Sequence, residues 1–187
     1  MSDPAFRKIT EEDYLRSEET SPIKHEYVDG FVYPLHGQAG ASRVHNRIAS
    51  NVQRIFLTAT KGGPCWSYGS DMKIKLKGPE KTRYYFPDIV VVCDEDTAET
   101  YAETRPCLIV EILSQSTRQV DMTYKLSDYL SLPSLQGYLL VDSEQQAAEL
   151  YKRLPGGWTT ELVQDEVTLP CLNIPLNLSD IYAGVSL

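Results

Sequence analysis

The sequence predicts an α/β protein in which helices flank both faces of a central mixed β-sheet, with additional β-hairpins. Residues 84–93 and 107–113 are near-continuous apolar runs, which are typical of central strands covered on both faces. Residues 42–60 repeat apolar side chains at helical spacing, which indicates an amphipathic helix. At 187 residues the chain is most simply one domain, spanning residues 1–187, with a sizeable core.

Local signals predict each remaining element. Thr10, as an N-cap with Asp13 three residues later, predicts a short helix over residues 9–17. Asp29-Gly30 between alternating apolar residues predicts a hairpin over 22–34. Beyond the long helix we expect strands over 65–68 and 71–77, and the second should have one face in water. The two apolar strands follow. After them we expect a helix over 116–130, a strand over 135–141 and a second hairpin over 147–163.

Composition excludes several classes of protein. The cysteines form no Cys-x-x-Cys pair, so we expect buried, reduced thiols at positions 65, 93, 107 and 171. The histidines have no ligand spacing relative to these cysteines, which argues against a zinc site. No apolar run approaches the roughly 20 residues of a membrane helix, and the N-terminus lacks the regions of a signal peptide. We therefore expect a cytoplasmic protein with no membrane partner.

The net charge of −8 argues at first against nucleic acid, but the charge is unevenly distributed. Residues 41–83 contain nine basic residues and two acids, a local charge of +7 against −15 for the remainder. Such a segment could line a phosphate-binding face. It could equally be a solvated helix and hairpin that happen to be basic. The residues that we predict to contact nucleic acid are Arg43, Arg47, Lys73 and Lys75.

Two carboxylates interrupt the apolar strands, namely Asp88 and Glu111. An unpaired carboxylate in a buried strand is costly, so each needs a compensating partner, and a divalent cation is a natural one. Asp88 and Glu111, with the backbone carbonyl of Ile112, would supply three oxygen ligands. Mg²⁺ suits so small a set because it keeps several waters, and Mn²⁺ is an alternative. Asp88 taken alone could instead cap a turn after Pro87.

A lysine beside such a pair would orient or deprotonate the attacking water. The position two residues after Glu111, where we would expect it, is Leu113. On the following helix, Asp121, Lys125 and Tyr129 are spaced i, i+4, i+8 and share one face. Lys125 could therefore reach the end of the Glu111 strand. The alternative is an exposed ion pair between Lys125 and Asp121, which would stabilise the helix only weakly.

These residues resemble the Uma family of putative restriction endonucleases, within the PD-(D/E)xK nuclease superfamily. The specific part is Glu-x-Leu-Ser-x-Ser-Thr at residues 111–117, preceded by Pro87-Asp88 and followed by Asp121, Lys125 and Tyr129. The resemblance spans roughly residues 10–153. One departure is Gln115, where the family often has proline. Earlier positions that also match are Glu26 before Tyr27-Val28-Asp29-Gly30, then His45 and Asp71.

The resemblance implies a restriction-endonuclease-like core in which Asp88 and Glu111 bind a divalent metal and Lys125 replaces the missing strand lysine. It also implies that further polar side chains surround the metal ligands, namely Glu26, His45, Asp71 and Asp121. Glu26 could instead pair with a nearby cation such as Lys24.

The expected activity is magnesium-dependent cleavage of DNA by a homodimer, with hairpins 27–33 and 147–158 as candidate interfaces. The alternatives are a catalytically silent nucleic-acid-binding or assembly module, and a nuclease for RNA or for single-stranded or branched DNA.

Overall fold

The computed structural model describes residues 8–35, 42–78, 81–94, 100–114 and 121–187, without the side chains of residues 121 and 122. Gln115 and the predicted helix start at 116 lie outside these residues. A five-stranded sheet has the order β2-β1-β5-β4-β7. Its strands are β1 (His25–Val28), β2 (Phe31–Pro34), β4 (Lys73–Lys77), β5 (Thr82–Tyr85) and β7 (Ala102–Glu103).

A six-stranded sheet carries the two predicted apolar strands near its centre, in the order β11-β10-β9-β8-β6-β3. Only β8 and β9 run parallel in this sheet, so it is mixed, as predicted. Its strands are β3 (Trp66–Gly69), β6 (Ile89–Val92), β8 (Leu108–Leu113), β9 (Gly137–Asp142), β10 (Ala148–Leu154) and β11 (Gly157–Val163). The predicted second hairpin is therefore the β10–β11 pair.

Helices cover the outer faces of both sheets. Helix α1 (Glu11–Glu18) packs on the five-stranded sheet through Tyr14. Helix α2 (Arg43–Thr60) packs on the six-stranded sheet through Ile48, Val52 and Phe56. The remaining elements are a π-helix (Asp121–Lys125), α3 (Leu126–Leu130), the paired strands β12 (Glu166–Leu169) and β13 (Ile174–Asn177), and α4 (Leu178–Ile181). No described helix is long and apolar enough to cross a membrane.

The capping and turn predictions are confirmed at the residue level. The Thr10 hydroxyl accepts a hydrogen bond from the Asp13 N–H at 3.1 Å, which begins α1. Asp29 and Gly30 have φ of 52° and 101°, and this two-residue loop joins β1 to β2. Positive φ at both loop residues matches the right-handed twist of the flanking strands, which is why Asp-Gly is favoured there.

The apolar run over residues 84–93 is two strands, not the single strand that we predicted. Strand β5 ends at Tyr85 in the five-stranded sheet, and β6 begins at Ile89 in the six-stranded sheet. The chain crosses between the sheets at Phe86-Pro87-Asp88, where proline has no N–H to continue a ladder. Residues of both sheets, including Ile74, Tyr85 and Ile109, share one core cluster. Asp88 therefore lies where the two sheets meet.

The polar face of β4 is covered at Lys73 and Lys75 and exposed only at Lys77, although its alternating pattern predicted a face in water. Lys73 is 9% exposed, and its ammonium lies 5.6 Å from the centre of the Tyr14 ring of α1. Lys75 pairs with Glu11 of the same helix at 3.0 Å. Burial lowers the pKa of Lys73. Alternation in sequence records which residues are polar, but it does not show that another helix covers them.

The prediction of reduced thiols is wrong, because the structure joins Cys65 to Cys93 and Cys107 to Cys171. The register that pairs Trp66 with Val92 places Cys65 opposite Cys93, one residue beyond the β3–β6 ladder. Cys171 lies in the turn after β12, whose Pro170 contacts Gly137 so closely that a Cβ on Gly137 would meet it at 2.6 Å. These pairings depend on strand register and turn packing, which cysteine spacing does not reveal.

Candidate active site

The two carboxylates that interrupt the apolar strands lie side by side. The antiparallel register that pairs Ile89 with Val110 places Asp88 opposite Glu111. The Asp88 N–H donates to Glu111 Oε2 at 3.3 Å, and the Ile112 N–H donates to Asp88 Oδ2 at 2.7 Å. Asp88 keeps 19% of its side chain exposed, whereas Glu111 keeps 6%. One carboxylate can therefore be reached from solvent while the other is almost enclosed.

Lys125 lies between two carboxylates and is 8% exposed. Its ammonium is 2.9 Å from Glu26 Oε1 and 3.6 Å from Glu111 Oε1. The ammonium also lies 5.7 Å from the centre of the Tyr85 ring. The structure thus brings Lys125 to the Glu111 strand, as the family resemblance implied. The side chain of Asp121, the other predicted partner of Lys125, lies outside the described residues.

Two further polar side chains touch the carboxylates. Tyr129, one turn after Lys125, is fully buried and donates its hydroxyl to Glu111 Oε1 at 3.3 Å. His45 Nε2 is 3.3 Å from Asp88 Oδ2. Ser42 caps α2 by accepting from the His45 N–H, which places His45 in the first turn of the helix. Of the surrounding residues that the resemblance implied, Glu26 and His45 therefore contact the site.

Several predicted residues lie elsewhere. Asp71 has a 94% exposed side chain and pairs with Lys24, the cation considered as a partner for Glu26. Arg43 is exposed on α2, and Arg47 donates to the Gly184 carbonyl at 2.5 Å. Lys73 and Lys75 do not present their ammonium groups to solvent, because α1 covers that face of β4. Of the four residues that we predicted to contact nucleic acid, the two on α2 are therefore exposed and the two on β4 are covered by α1.

A buried ion-pair network beside Lys125 was not predicted. Arg83 on β5 binds Asp29 Oδ2 at 3.0 Å and also pairs with Asp128 on α3. The Tyr85 hydroxyl donates to the other oxygen of Asp128 at 2.6 Å. Burial opposes the charge of Arg83, but the hydrogen bonds to Asp29 and Asp128 outweigh it and raise the pKa of Arg83. The network ties α3, and with it the neighbouring Lys125, to the five-stranded sheet.

The sequence indicates the position of only one member of that network. Asp128 follows Lys125 by three residues, which on a helix indicates a neighbouring position. Arg83 and Asp29 are 54 residues apart, and no spacing rule connects them.

The carboxylates of the candidate site have the donor chemistry of a magnesium or manganese site. Its ligating atoms are hard carboxylate oxygens, and Mg²⁺ is commonly bound through one or two carboxylates with water and substrate phosphate completing the shell. Among the described residues, no group of three or more His, Cys, Asp or Glu side chains is arranged so that it could hold a metal ion, so protein carboxylates alone would supply at most two ligands. Glu26, Asp88, Glu111 and Lys125 together carry a formal charge of −2, because the four side chains are three carboxylates and one ammonium. A dication would neutralise that charge.

The protein has two mixed sheets with flanking helices. It also has an aspartate just before one strand, beside a glutamate on the neighbouring strand and a helical lysine. These features define a restriction-endonuclease-like protein. The chain belongs to the Uma2 family, described as "Putative restriction endonuclease", whose model matches residues 11–183. The resemblance based on the sequence motifs is thereby confirmed, and the match extends beyond residue 153.

Relatives and a solved structure support this placement. The uncharacterized protein slr1290 of Synechocystis sp. is 36% identical over 185 residues, covering 97% of this chain and 95% of the relative. The uncharacterized protein sll1609 of Synechocystis sp. is 33% identical over 150 residues, covering 78% and 81%. A crystal structure from Anabaena variabilis, described as a putative nuclease belonging to DUF820, superposes with a TM-score of 0.69. That structure is 18% identical, and the match covers 94% of this chain and 98% of the other, so it shows a shared fold.

Proposed function

We propose that this protein is a magnesium-dependent endonuclease that hydrolyses phosphodiester bonds in DNA. The observation that carries the proposal is the convergence of Asp88, Glu111 and Lys125, which come from the segment before β6, from β8 and from the π-helix. The description of the family and the description of the Anabaena structure both name nucleases, which supports the same reaction class. DNA is the substrate that the words "restriction endonuclease" imply.

Each residue has a role that follows from its contacts. Asp88 and Glu111 would hold the cation, with the Ile112 carbonyl as the further ligand that the sequence suggested. Bound there, Mg²⁺ would neutralise charge developing on the phosphate and activate a water. Lys125 would position that water and stabilise the negative charge, because its ammonium already faces Glu111. Glu26 would orient Lys125 through its contact at 2.9 Å.

The test is plasmid cleavage by variants that change charge and keep shape. Asp88→Asn and Glu111→Gln should each lose cleavage in Mg²⁺ or Mn²⁺, while circular dichroism stays that of the wild type. Asp71→Asn is the matched control, because it makes the same chemical change on a carboxylate that is 94% exposed and paired with Lys24. The control should cleave as the wild type does.

Calorimetry separates cleavage from binding alone. Wild type should bind Mg²⁺, and Asp88→Asn should bind it more weakly. The nuclease proposal fails if the wild type leaves supercoiled, linear and single-stranded DNA and RNA intact in both metals. DNA binding without metal binding would then favour the catalytically silent module.

We also propose that the protein forms a homodimer through the β10–β11 hairpin. In the described part of the chain β11 pairs only with β10, so it forms an edge of the six-stranded sheet. Leu162 on this strand is 70% exposed. Unpaired edge strands readily add another strand. Light scattering after size exclusion should give twice the mass of one chain for the wild type and a lower mass for Leu162→Lys. A monomeric wild type would exclude the dimer.

A further inference from the structure

Helix α2 carries its cations in one row. Arg43, Arg47, Arg54 and Lys61 follow one another at spacings of four, seven and seven residues. At 3.6 residues per turn, these spacings bring all four within an arc of roughly 40°. At 1.5 Å per residue, the row is about 27 Å long. No aspartate or glutamate occurs between residues 43 and 70, so the helix itself supplies no counter-charge.

The α2 row also lacks acidic partners from the rest of the described chain. Arg47 donates to the neutral Gly184 carbonyl, and Arg43, Arg54 and Lys61 form no ion pair with a described residue. Elsewhere in the described chain, cations commonly pair with acids: Arg16, Lys24, Lys75, Arg83, Arg105 and Lys125. The α2 row therefore keeps its positive charge in a chain whose net charge is −8.

The α2 row lies on the solvent side of the helix. The opposite side is apolar and packs on the six-stranded sheet through Ile48, Val52 and Phe56. The outer side carries a shallow surface depression of about 530 Å³, lined by α2 and the residue after it. Its lining combines two cations of the row with polar groups and one leucine: Ser50, Gln53, Arg54, Leu57, Thr58 and Lys61. Cations beside hydroxyl and amide groups suit the phosphates and sugars of a nucleic-acid backbone.

We propose that the outer face of α2 is a docking surface for the DNA backbone, distinct from the carboxylate site. The choice of DNA as the occupant rests on the proposed function, whereas the anionic character of the occupant follows from the uncompensated charge. His45 lies across the helix from the α2 row and contacts Asp88 at 3.3 Å. Helix α2 therefore has one side against the carboxylates, whereas its opposite side is the docking surface.

The test is DNA affinity measured without divalent metal. Fluorescence anisotropy in EDTA would follow a labelled duplex of about 30 base pairs at KCl concentrations between about 0.05 and 0.3 M. The double variant Arg54→Gln/Lys61→Gln removes two charges of the row. Lys77→Gln/Lys81→Gln is the matched control, because it removes two exposed charges outside α2.

Counter-ion release gives the expected size of the effect. Each lost phosphate contact flattens the slope of log affinity against log salt by about 0.9, so two contacts flatten it by about 1.8. If the two contacts contribute nothing at about 1 M salt, the same relation predicts roughly 60-fold weaker binding at about 0.1 M. The control should keep the wild-type slope.

The outcomes separate this inference from the proposed nuclease activity. If Arg54→Gln/Lys61→Gln and the control bind alike, or if the wild type binds no duplex at low salt, the docking surface is refuted. Competition by polyglutamate as strong as that by duplex DNA would also refute it, because the surface would then be a general anion patch. If the α2 row carries DNA binding but the wild type cleaves nothing, the docking surface stands and the nuclease proposal fails.

Discussion

Lys125 provides the sharpest test of how the site is built. Its ammonium is the cation that contacts both Glu26 and Glu111, at 2.9 Å and 3.6 Å. The exposed fractions of the three side chains are 10%, 12% and 6%, so water screens these charges poorly. Lys125→Met keeps most of the side-chain volume and removes the charge. It therefore leaves two nearly buried carboxylates without their shared cation.

The expected loss of stability follows from that burial. Removing one partner of a buried ion pair costs about 3–5 kcal/mol, because the remaining charge is uncompensated. Unfolding entropy is about 2.1 cal/mol/K per residue. For 187 residues it totals about 0.4 kcal/mol/K. Lys125→Met should therefore lower the melting temperature by roughly 8–13 °C.

Calorimetric melting in EDTA measures this directly, with Lys77→Met as the matched control on an exposed lysine. The control should change stability by no more than about 0.5 kcal/mol. Glu26→Gln/Lys125→Met should melt above Lys125→Met, because one uncompensated carboxylate has been removed. Added Mg²⁺ should raise the melting temperature of Lys125→Met, since a cation would then face Asp88 and Glu111. If Lys125→Met melts with the wild type, the buried cation does not stabilise the fold and the reasoning is wrong.

Two further predictions concern stability away from the carboxylates. Burial raises the pKa of Glu11, but hydrogen bonds with Tyr84 and Lys75 outweigh it and hold that pKa below its usual 4.5. The wild type should therefore be more stable than Glu11→Gln at neutral pH, and this difference in unfolding free energy should disappear as pH falls below 4.5. Denaturant titrations at several pH values would measure it. An equal difference at neutral and acid pH would contradict the prediction. The Cys107–Cys171 disulfide spans 64 residues, so Cys107→Ser/Cys171→Ser should destabilise the protein by about 4 kcal/mol. If a dithiol reductant changes the stability of neither the variant nor the wild type, that expectation is contradicted.

The carboxylate pair was predictable because its signals are local. Asp88 and Glu111 each stand out as a single charge in an apolar run, and apolar runs of that length are central strands. The β6–β8 register, which the sequence does not show, then places the two side chains side by side. The i, i+4 spacing placed Lys125 and Tyr129 on one helix face but left the exposed ion pair with Asp121 open, and the family resemblance implied the site role. Both side chains contact Glu111.

The failed predictions concern residues whose environment is distant in sequence. Lys73 and Lys75 alternate with apolar residues as an exposed strand would, but α1, about 60 residues earlier, covers them. Cys65 and Cys93 are separated by 28 residues and meet only through strand register. The run over residues 84–93, predicted as a single strand, contributes one strand to each of the two sheets. The composition of the run does not show which of its residues belong to which sheet.

The sequence by itself determined the fold class, the family, the capped helices, the Asp-Gly hairpin and the three residues that converge on the candidate site. Those features depend on periodicity, turn chemistry and single charges, which act over a few residues. Tertiary structure alone decided that two sheets meet at Asp88, that Glu26 binds Lys125, that Arg83 secures α3, and that α1 covers two of the four residues predicted to contact nucleic acid. These outcomes depend on which surfaces pack together, and packing joins residues that no local rule relates.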